Sequence, residues 1–426
     1  MNYQFTTLPN RVRVITVPMQ ERNSSGVAIW VRAGARFETK KISGVSHFLE
    51  HMLFKGTKKR NTRQIKQEIE GVGGMLNAFT GEESTCYYSK LMATHFSEAL
   101  DVLSDMVNHA TMIPEEFNKE KPVILEEIKM YRDLPSHHVH DLMGELLWPD
   151  QPLGWPIAGT LETASGISRP EMVKYKNSFY QPQNIIVTVS GPVRHDKVLD
   201  QVKKAFTQKS TGPVSKFTKA VTKQTKPKTF FLEKQTEQTH FVIGLHGFSR
   251  FHPDRYKLGI MNVILGSNMS SRLFEEVREK RGLAYEIRSG LSFYQDTGAV
   301  SISAGVDARK APMAMEIILR ELSRISRQGV SEDELRRAKD YFMSQLHMAL
   351  EDTLEHLLWV GERVLDRGDL PDTKNIQKSI EAVTRHDVQE AAKQVFKTQH
   401  LNLALIGPVA EKMQTLIKNN FEIPGC

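Results

Sequence analysis

Apolar positions along this chain recur with two periods, near 3.6 residues and near two, and the change from one to the other marks out helices and strands. Val45, Phe48, Leu49 and Met52 fall at i, i+3, i+4 and i+7. They predict a helix with one apolar stripe, capped by Ser43 and stopped near Gly56. Short runs rich in β-branched and aromatic residues predict strands at 13–18, 26–33 and 85–92 in the first half. In the second half they predict strands at 230–232, 240–247, 287–293 and 298–306. Several of these are consecutive and hairpin-like.

The pattern repeats at an offset of 216 positions. Residues 167–193 and 383–409 both read as helix, short loop, buried strand and Gly-Pro turn, with Gly191-Pro192-Val193 answering Gly407-Pro408-Val409. The same offset aligns two amphipathic helices, 96–106 and 312–322, and a small slip aligns the helix starts at Pro114 and Glu332. A period of half the chain implies duplication of a whole domain rather than a solenoid. The expected fold is α+β, two tandem homologous domains, each a largely antiparallel sheet packed with helices. The expected boundaries are 1–207, a lysine-rich linker at 208–229, and 230–426.

Composition narrows the function classes. The chain has 426 residues, with 40% hydrophobic and 25% charged, as ordinary globular proteins do. No run reaches the roughly 18 apolar residues of a membrane span, so no membrane insertion is expected. The start, Met1-Asn2-Tyr3-Gln4-Phe5, lacks a basic segment followed by an apolar one. No signal peptide is expected, and the expected location is cytoplasmic. Two cysteines, Cys86 and Cys426, exclude a disulfide framework and a cysteine-rich zinc knuckle. Any metal must be held by His, Asp and Glu. The net charge is +7, and positions 201–232 hold eight lysines and no acid. That stretch has few aromatics and no binding motif, so it reads as a solvated linker and no nucleic-acid partner is expected.

The chemistry concentrates in His47-Phe48-Leu49-Glu50-His51. On the predicted helix His47, Glu50 and His51 fall on a stripe beside the apolar one. Two imidazoles four residues apart can reach one ion. The carboxylate beside them can serve as general base for metal-assisted hydrolysis. The bland alternative is a helix with two satisfied histidines and a surface glutamate. The second half has no such motif, so one domain carries the site and its copy does something else. A catalytic zinc takes three protein ligands and keeps one position open. Candidates for the third are Glu120, Glu126 and Glu127, of which Glu120 and Glu127 share a helix face. Pro122 between them marks a kink or a first turn. His137, His138 and His140, after the turn at Leu134-Pro135-Ser136, form a rival cluster expected on a solvated loop.

These residues resemble the pitrilysin and mitochondrial-processing-peptidase family of zinc metalloproteases. His47-x-x-Glu50-His51 is followed, 76 residues after His51, by Glu127, with Glu120 seven residues earlier. The resemblance implies one zinc per chain, with His47, His51 and Glu127 as ligands, Glu50 as the base and Glu120 supporting the ligands. Residues 73–80 look like the family's substrate-binding edge strand, which implies substrate contacts at Asn77, Ala78 and Phe79. Arg278 and Tyr285 look like its Arg…Tyr pair, which implies substrate and transition-state contacts; the bland alternative is a surface helix, 271–280, ending at Gly282. The length matches the short bacterial-type members, which pair two chains. The resemblance therefore implies a metalloendopeptidase acting on unstructured or presequence-like peptides, as a homodimer or as the active half of a heterodimer. The alternative from another class is a non-catalytic, processing-peptidase-like subunit of a larger complex. Ligand type favours zinc over manganese or cobalt.

Overall fold

The computed structural model describes residues 3–210 and 212–425; Thr211, in the expected linker, lies outside them. The first half runs β1 (Gln4–Thr7), β2 (Arg13–Pro18), β3 (Ser24–Val31), α1 (Val45–Leu53), α2 (Thr62–Glu70), β4 (Met75–Thr80), β5 (Thr85–Met92), α3 (Phe96–His109), α4 (Pro114–Asp133), α5 (Pro135–Leu147), α6 (Leu161–Gly166), α7 (Arg169–Phe179), β6 (Ile185–Gly191) and α8 (His195–Ala205). The second runs β7 (Lys228–Glu233), β8 (Thr239–Gly247), α9 (Arg255–Leu265), β9 (Ala284–Phe293), β10 (Gly298–Val306), α10 (Ala311–Gln328), α11 (Glu332–Glu351), α12 (Thr353–Arg367), α13 (Thr373–Glu381), α14 (Arg385–Val395), β11 (Asn402–Gly407) and α15 (Glu411–Asn419).

The duplication is visible in the sheets. The first has the order β1-β2-β6-β3-β5-β4 and the second β7-β11-β8-β10-β9. Removing β1 from the first makes the two identical in topology: one parallel pair, β2 with β6 or β7 with β11, and antiparallel pairing elsewhere. Local chemistry repeats too. α7 begins with a capping box between Ser168 and Glu171, and α14, at the 216 offset, with one between Thr384 and Asp387. The fold is thus α+β in two tandem homologous domains with largely antiparallel sheets.

The compact units are not the two sequence halves. One gathers Met1–Lys129, Pro156–Thr218 and His347–Pro371; the other gathers Met130–Trp155, Lys219–Leu346 and Asp372–Cys426. The reason is coverage of sheet faces. Central strands such as β6 and β11 are buried along their whole length, so both faces of each sheet need a lid. In the first unit one face packs on α1 and α3, through Phe48, Leu49, Met52, Leu100 and Leu103. The other face packs Ile15, Ala28, Trp30 and Ile186 against Leu357, Val360 and Val364 of α12. That close approach requires Gly361, where a Cβ would come within 2.1 Å of the Trp30 indole nitrogen. In the second unit the lid is α5, whose Val139, Met143 and Leu147 meet Val242, Ala404 and Ile406. Among the described residues no helix is long and apolar enough to cross a membrane.

Three local expectations are corrected. Pro122 lies inside α4, which runs through it. Its ring removes one N–H donor, and packing of Phe117, Ile124 and Ile128 holds the helix together on either side. His137, His138 and His140 stand on α5 rather than on a loop, because Pro135 at the first helical position starts a helix. Around Arg278 the chain forms a π-helical segment, Phe274–Glu279, rather than an ordinary surface helix.

Candidate metal centre

α1 presents its functional groups because its other residues are committed to the core. Val45, Phe48, Leu49, Met52 and Leu53 are fully buried, which turns His47, Glu50 and His51 along the partly open side. α4 does the same with Phe117, Ile124 and Ile128. The two helices meet through a stacked pair, Phe48 on Phe117, with ring centroids 4.8 Å apart and planes 17° from parallel. That apolar contact sets how closely the polar groups approach.

Glu127 faces both imidazoles. Its Oε1 is 3.6 Å from His47 Nε2 and its Oε2 is 3.5 Å from His51 Nε2. One donor atom from each of the three residues lies within 4.8 Å of the others, and among the described residues this is the one such group of three or more. Contacts of 3.5–3.6 Å are longer than a good N–H···O hydrogen bond. They match the edge of a tetrahedron of ligands about 2.1 Å from a common centre, which is roughly 3.4 Å. The three donors lie close enough together to share one ion. Two neutral imidazoles and one carboxylate are also the donor set that suits zinc. His47, His51 and Glu127 would hold the ion.

Supporting groups complete the cluster. His51 donates from Nδ1 to Glu120 Oε1 at 2.9 Å, which leaves its Nε2 lone pair facing the site. Glu120 Oε2 takes the Lys55 ammonium at 2.5 Å. Burial works to raise the Glu120 pKa, but the hydrogen bonds and charges of His51 and Lys55 outweigh it and hold the carboxyl below its ordinary range. The His47 imidazole holds Glu127 below its ordinary range too, against the effect of burial. His47 Nδ1 is buried with no hydrogen-bond partner, so the two imidazoles are unequally supported. Glu50 is tethered separately: Thr80 at the end of β4 donates its hydroxyl to Glu50 Oε2 at 2.5 Å.

The remaining sequence candidates fall as follows. Glu126 turns to solvent, 71% exposed, and pairs with Lys129. β4 is the edge strand of the first sheet. On it Asn77 Oδ1 accepts from Ala78 N–H at 2.8 Å, and Phe79 sets its ring edge-on to Trp30 with centroids 5.6 Å apart. Arg278 and Tyr285 form a pair in the second unit, the guanidinium 5.1 Å from the centre of the Tyr285 ring. Tyr285 lies on the edge strand β9 and is 78% exposed.

Reading the sequence missed Thr80 and Lys55 as contributors. Thr80 carried a signal: with period two it shares a strand face with Ala78. Lys55 carried one as well, standing four residues after His51 just beyond the end of α1.

The comparisons with known proteins agree with this architecture. The family model described as Insulinase (Peptidase family M16) matches residues 13–161, and that described as Peptidase M16 inactive domain matches residues 166–342. The chain is 36% identical to a Bacillus subtilis protein named uncharacterized zinc protease YmxG, over 94% of this chain and 97% of that one. It is 34% identical to an uncharacterized zinc protease of Streptomyces coelicolor, over 96% of this chain and 90% of the relative. Among solved structures, a protease from Helicobacter pylori matches with a TM-score of 0.90 at 23% identity, covering 96% of this chain and 99% of the other. A chain of complex III2 from Candida albicans matches with a TM-score of 0.85 at 20% identity, covering 98% and 99%. The structural likenesses are likenesses of fold. The sequence relationships show the family: this chain belongs to peptidase family M16, the insulinase family, as a short member of two tandem domains.

Proposed function

We propose that this chain is a zinc-dependent endopeptidase that hydrolyses peptide bonds in unstructured oligopeptides or presequence-like segments. One observation carries the reading. His47, His51 and Glu127 converge on a common point while Glu50, one residue before a ligand on the same helix, stays outside that set and is held by Thr80. Relatives named zinc proteases support it.

When bound, zinc supplies Lewis-acid activation of water and of the scissile carbonyl. The chain's own groups do the rest. Glu50 takes the proton from the attacking water and returns it to the leaving amine. Thr80 fixes which Glu50 oxygen remains free for that transfer. Glu120, anchored by Lys55, orients His51. The open edge of β4 around Asn77, Ala78 and Phe79 receives the substrate as an added strand, a mode in which main-chain hydrogen bonds tolerate many sequences. Arg278 and Tyr285 contribute substrate and transition-state contacts from a paired chain. A purely scaffolding role would have no use for three converging donors and a tethered base.

The test is metal analysis of the wild type and of Glu50→Gln, with a quenched-fluorescence peptide assay on both. One zinc per chain is expected in each, and turnover in the wild type alone. A wild-type protein that is metal-free and inactive after zinc loading would overturn the reading in favour of a non-catalytic subunit.

A further inference from the structure

α1, the helix that carries His47, Glu50 and His51, is not capped by its own N-terminal residue. Its N-cap is Gly44, at φ +95°, with no side chain to offer; Ser43, the residue expected there, precedes it. A Cβ at Gly44 would come within 2.4 Å of the Ala158 carbonyl oxygen. The serine, threonine, aspartate or asparagine that usually caps a helix therefore has neither the space nor the backbone conformation. The first-turn N–H groups are met from six residues upstream. Glu38 Oε2 accepts from Gly44 N–H at 2.7 Å, and Oε1 accepts from Ser46 N–H at 2.8 Å. Glu38 is 5% exposed. Beside it, the Ser46 and Tyr175 hydroxyls bond at 2.8 Å, and Tyr175 donates to the Gly34 carbonyl at 3.3 Å.

We propose that Glu38 is a positioning residue of the metal site, its two-oxygen grip on Gly44 and Ser46 fixing the axial height and roll of α1 so that His47, Glu50 and His51 meet Glu127 at the required spacing. The inference rests on the zinc-peptidase reading. Ser46 is the residue before His47, so the grip lies one peptide unit from the first imidazole. Height and roll are the two freedoms of a rigid helix that would move all three functional groups together, and misplacement of about 1 Å at a reacting centre costs on the order of a hundredfold in rate.

Energetics separates this role from capping for stability. Burial pushes the Glu38 pKa up to about 7, against the pull of the N–H donors of Ser46 and Gly44. The folded value lies above the 4.5 of an ordinary glutamate. Between those two values the folded chain holds a proton that the unfolded chain has released. This group's contribution to stability therefore falls as pH rises through that window, and above it the buried carboxylate is a net burden. A neutral side chain of the same shape would serve stability better, yet it offers a single acceptor where two N–H groups need one.

The experiment compares the full chain with its Glu38→Gln and Glu38→Ala variants. Three quantities are read: the melting temperature of metal-free protein at pH 8, zinc affinity by competition with a chromogenic chelator, and kcat and KM on a quenched peptide. Glu38→Gln is expected to melt no lower than wild type at pH 8. It is also expected to bind zinc about tenfold more weakly and to lose about tenfold in kcat, with KM changed less than about twofold. Glu38→Ala is expected to lose more of both. Wild-type zinc affinity and kcat in Glu38→Gln would overturn the proposal, and so would failure of both variants to fold, which would assign Glu38 to stability alone. A wild-type chain that binds no zinc would instead remove the peptidase reading and this inference with it. Normal wild-type binding with unaltered variants would remove only the inference.

Discussion

Glu126 and Glu127 are neighbours, yet one pairs with Lys129 in solvent and the other faces two imidazoles. One residue along a helix is a turn of about 100°, and that turn decides which glutamate joins the cluster. The spacing of His47 and His51 made their common face legible from the sequence. The choice among Glu120, Glu126 and Glu127 was not legible from periodicity and came only through the family resemblance, because it depends on which side of α4 packs against α1. Thr80 is a similar case: its strand face could be read, but its partner Glu50 could not, since the two are 30 positions apart. At this scale the expected outcome for Thr80→Val, which keeps the shape and removes the hydroxyl, is a fall in kcat of roughly tenfold, in line with a misoriented general base. KM and zinc content should stay near wild type. Steady-state kinetics with metal analysis decides it, and a wild-type kcat would show that Glu50 needs no tether.

Elements were the most legible level, with β2, β3, β5, β6, β8 and β10 all announced by apolar runs. Where the sequence misled, a single residue had been read without its surroundings. Pro122 argued for a kink or a first turn, but the apolar contacts on either side outweigh one missing N–H. Ser43 argued for a cap, but the close approach of Ala158 reserves the N-cap for Gly44. The contact that governs the site at this scale is Phe48 on Phe117. Phe117→Ala should destabilise the chain by about 3–5 kcal/mol, the usual cost of deleting a buried aromatic ring. It should also weaken zinc binding, because α4 loses its seat on α1. Chemical denaturation of the metal-free protein beside a zinc titration checks both; a normal zinc affinity would show that Glu120 and Glu127 are held in place by other contacts.

The whole molecule is a duplication in which one copy carries the His47, His51 and Glu127 cluster and the other carries Arg278 and Tyr285. If these act on the zinc site of a second chain, inactive Glu50→Gln and Tyr285→Phe proteins should regain activity when mixed, up to about a quarter of the wild-type value for random pairing of equal amounts. An activity assay on the mixture, with each variant alone as control, is the check. No recovery under conditions in which chains exchange would argue for action within one chain. The sequence by itself determined the duplication, the α+β class and the helix bearing His47, Glu50 and His51, because these follow from local periodicity and residue type. Tertiary structure alone decided which hydroxyl holds Glu50, what caps α1 and which helix covers each sheet. Those outcomes depend on the approach of groups far apart in the chain, and burial of apolar faces, rather than any local pattern, sets that approach.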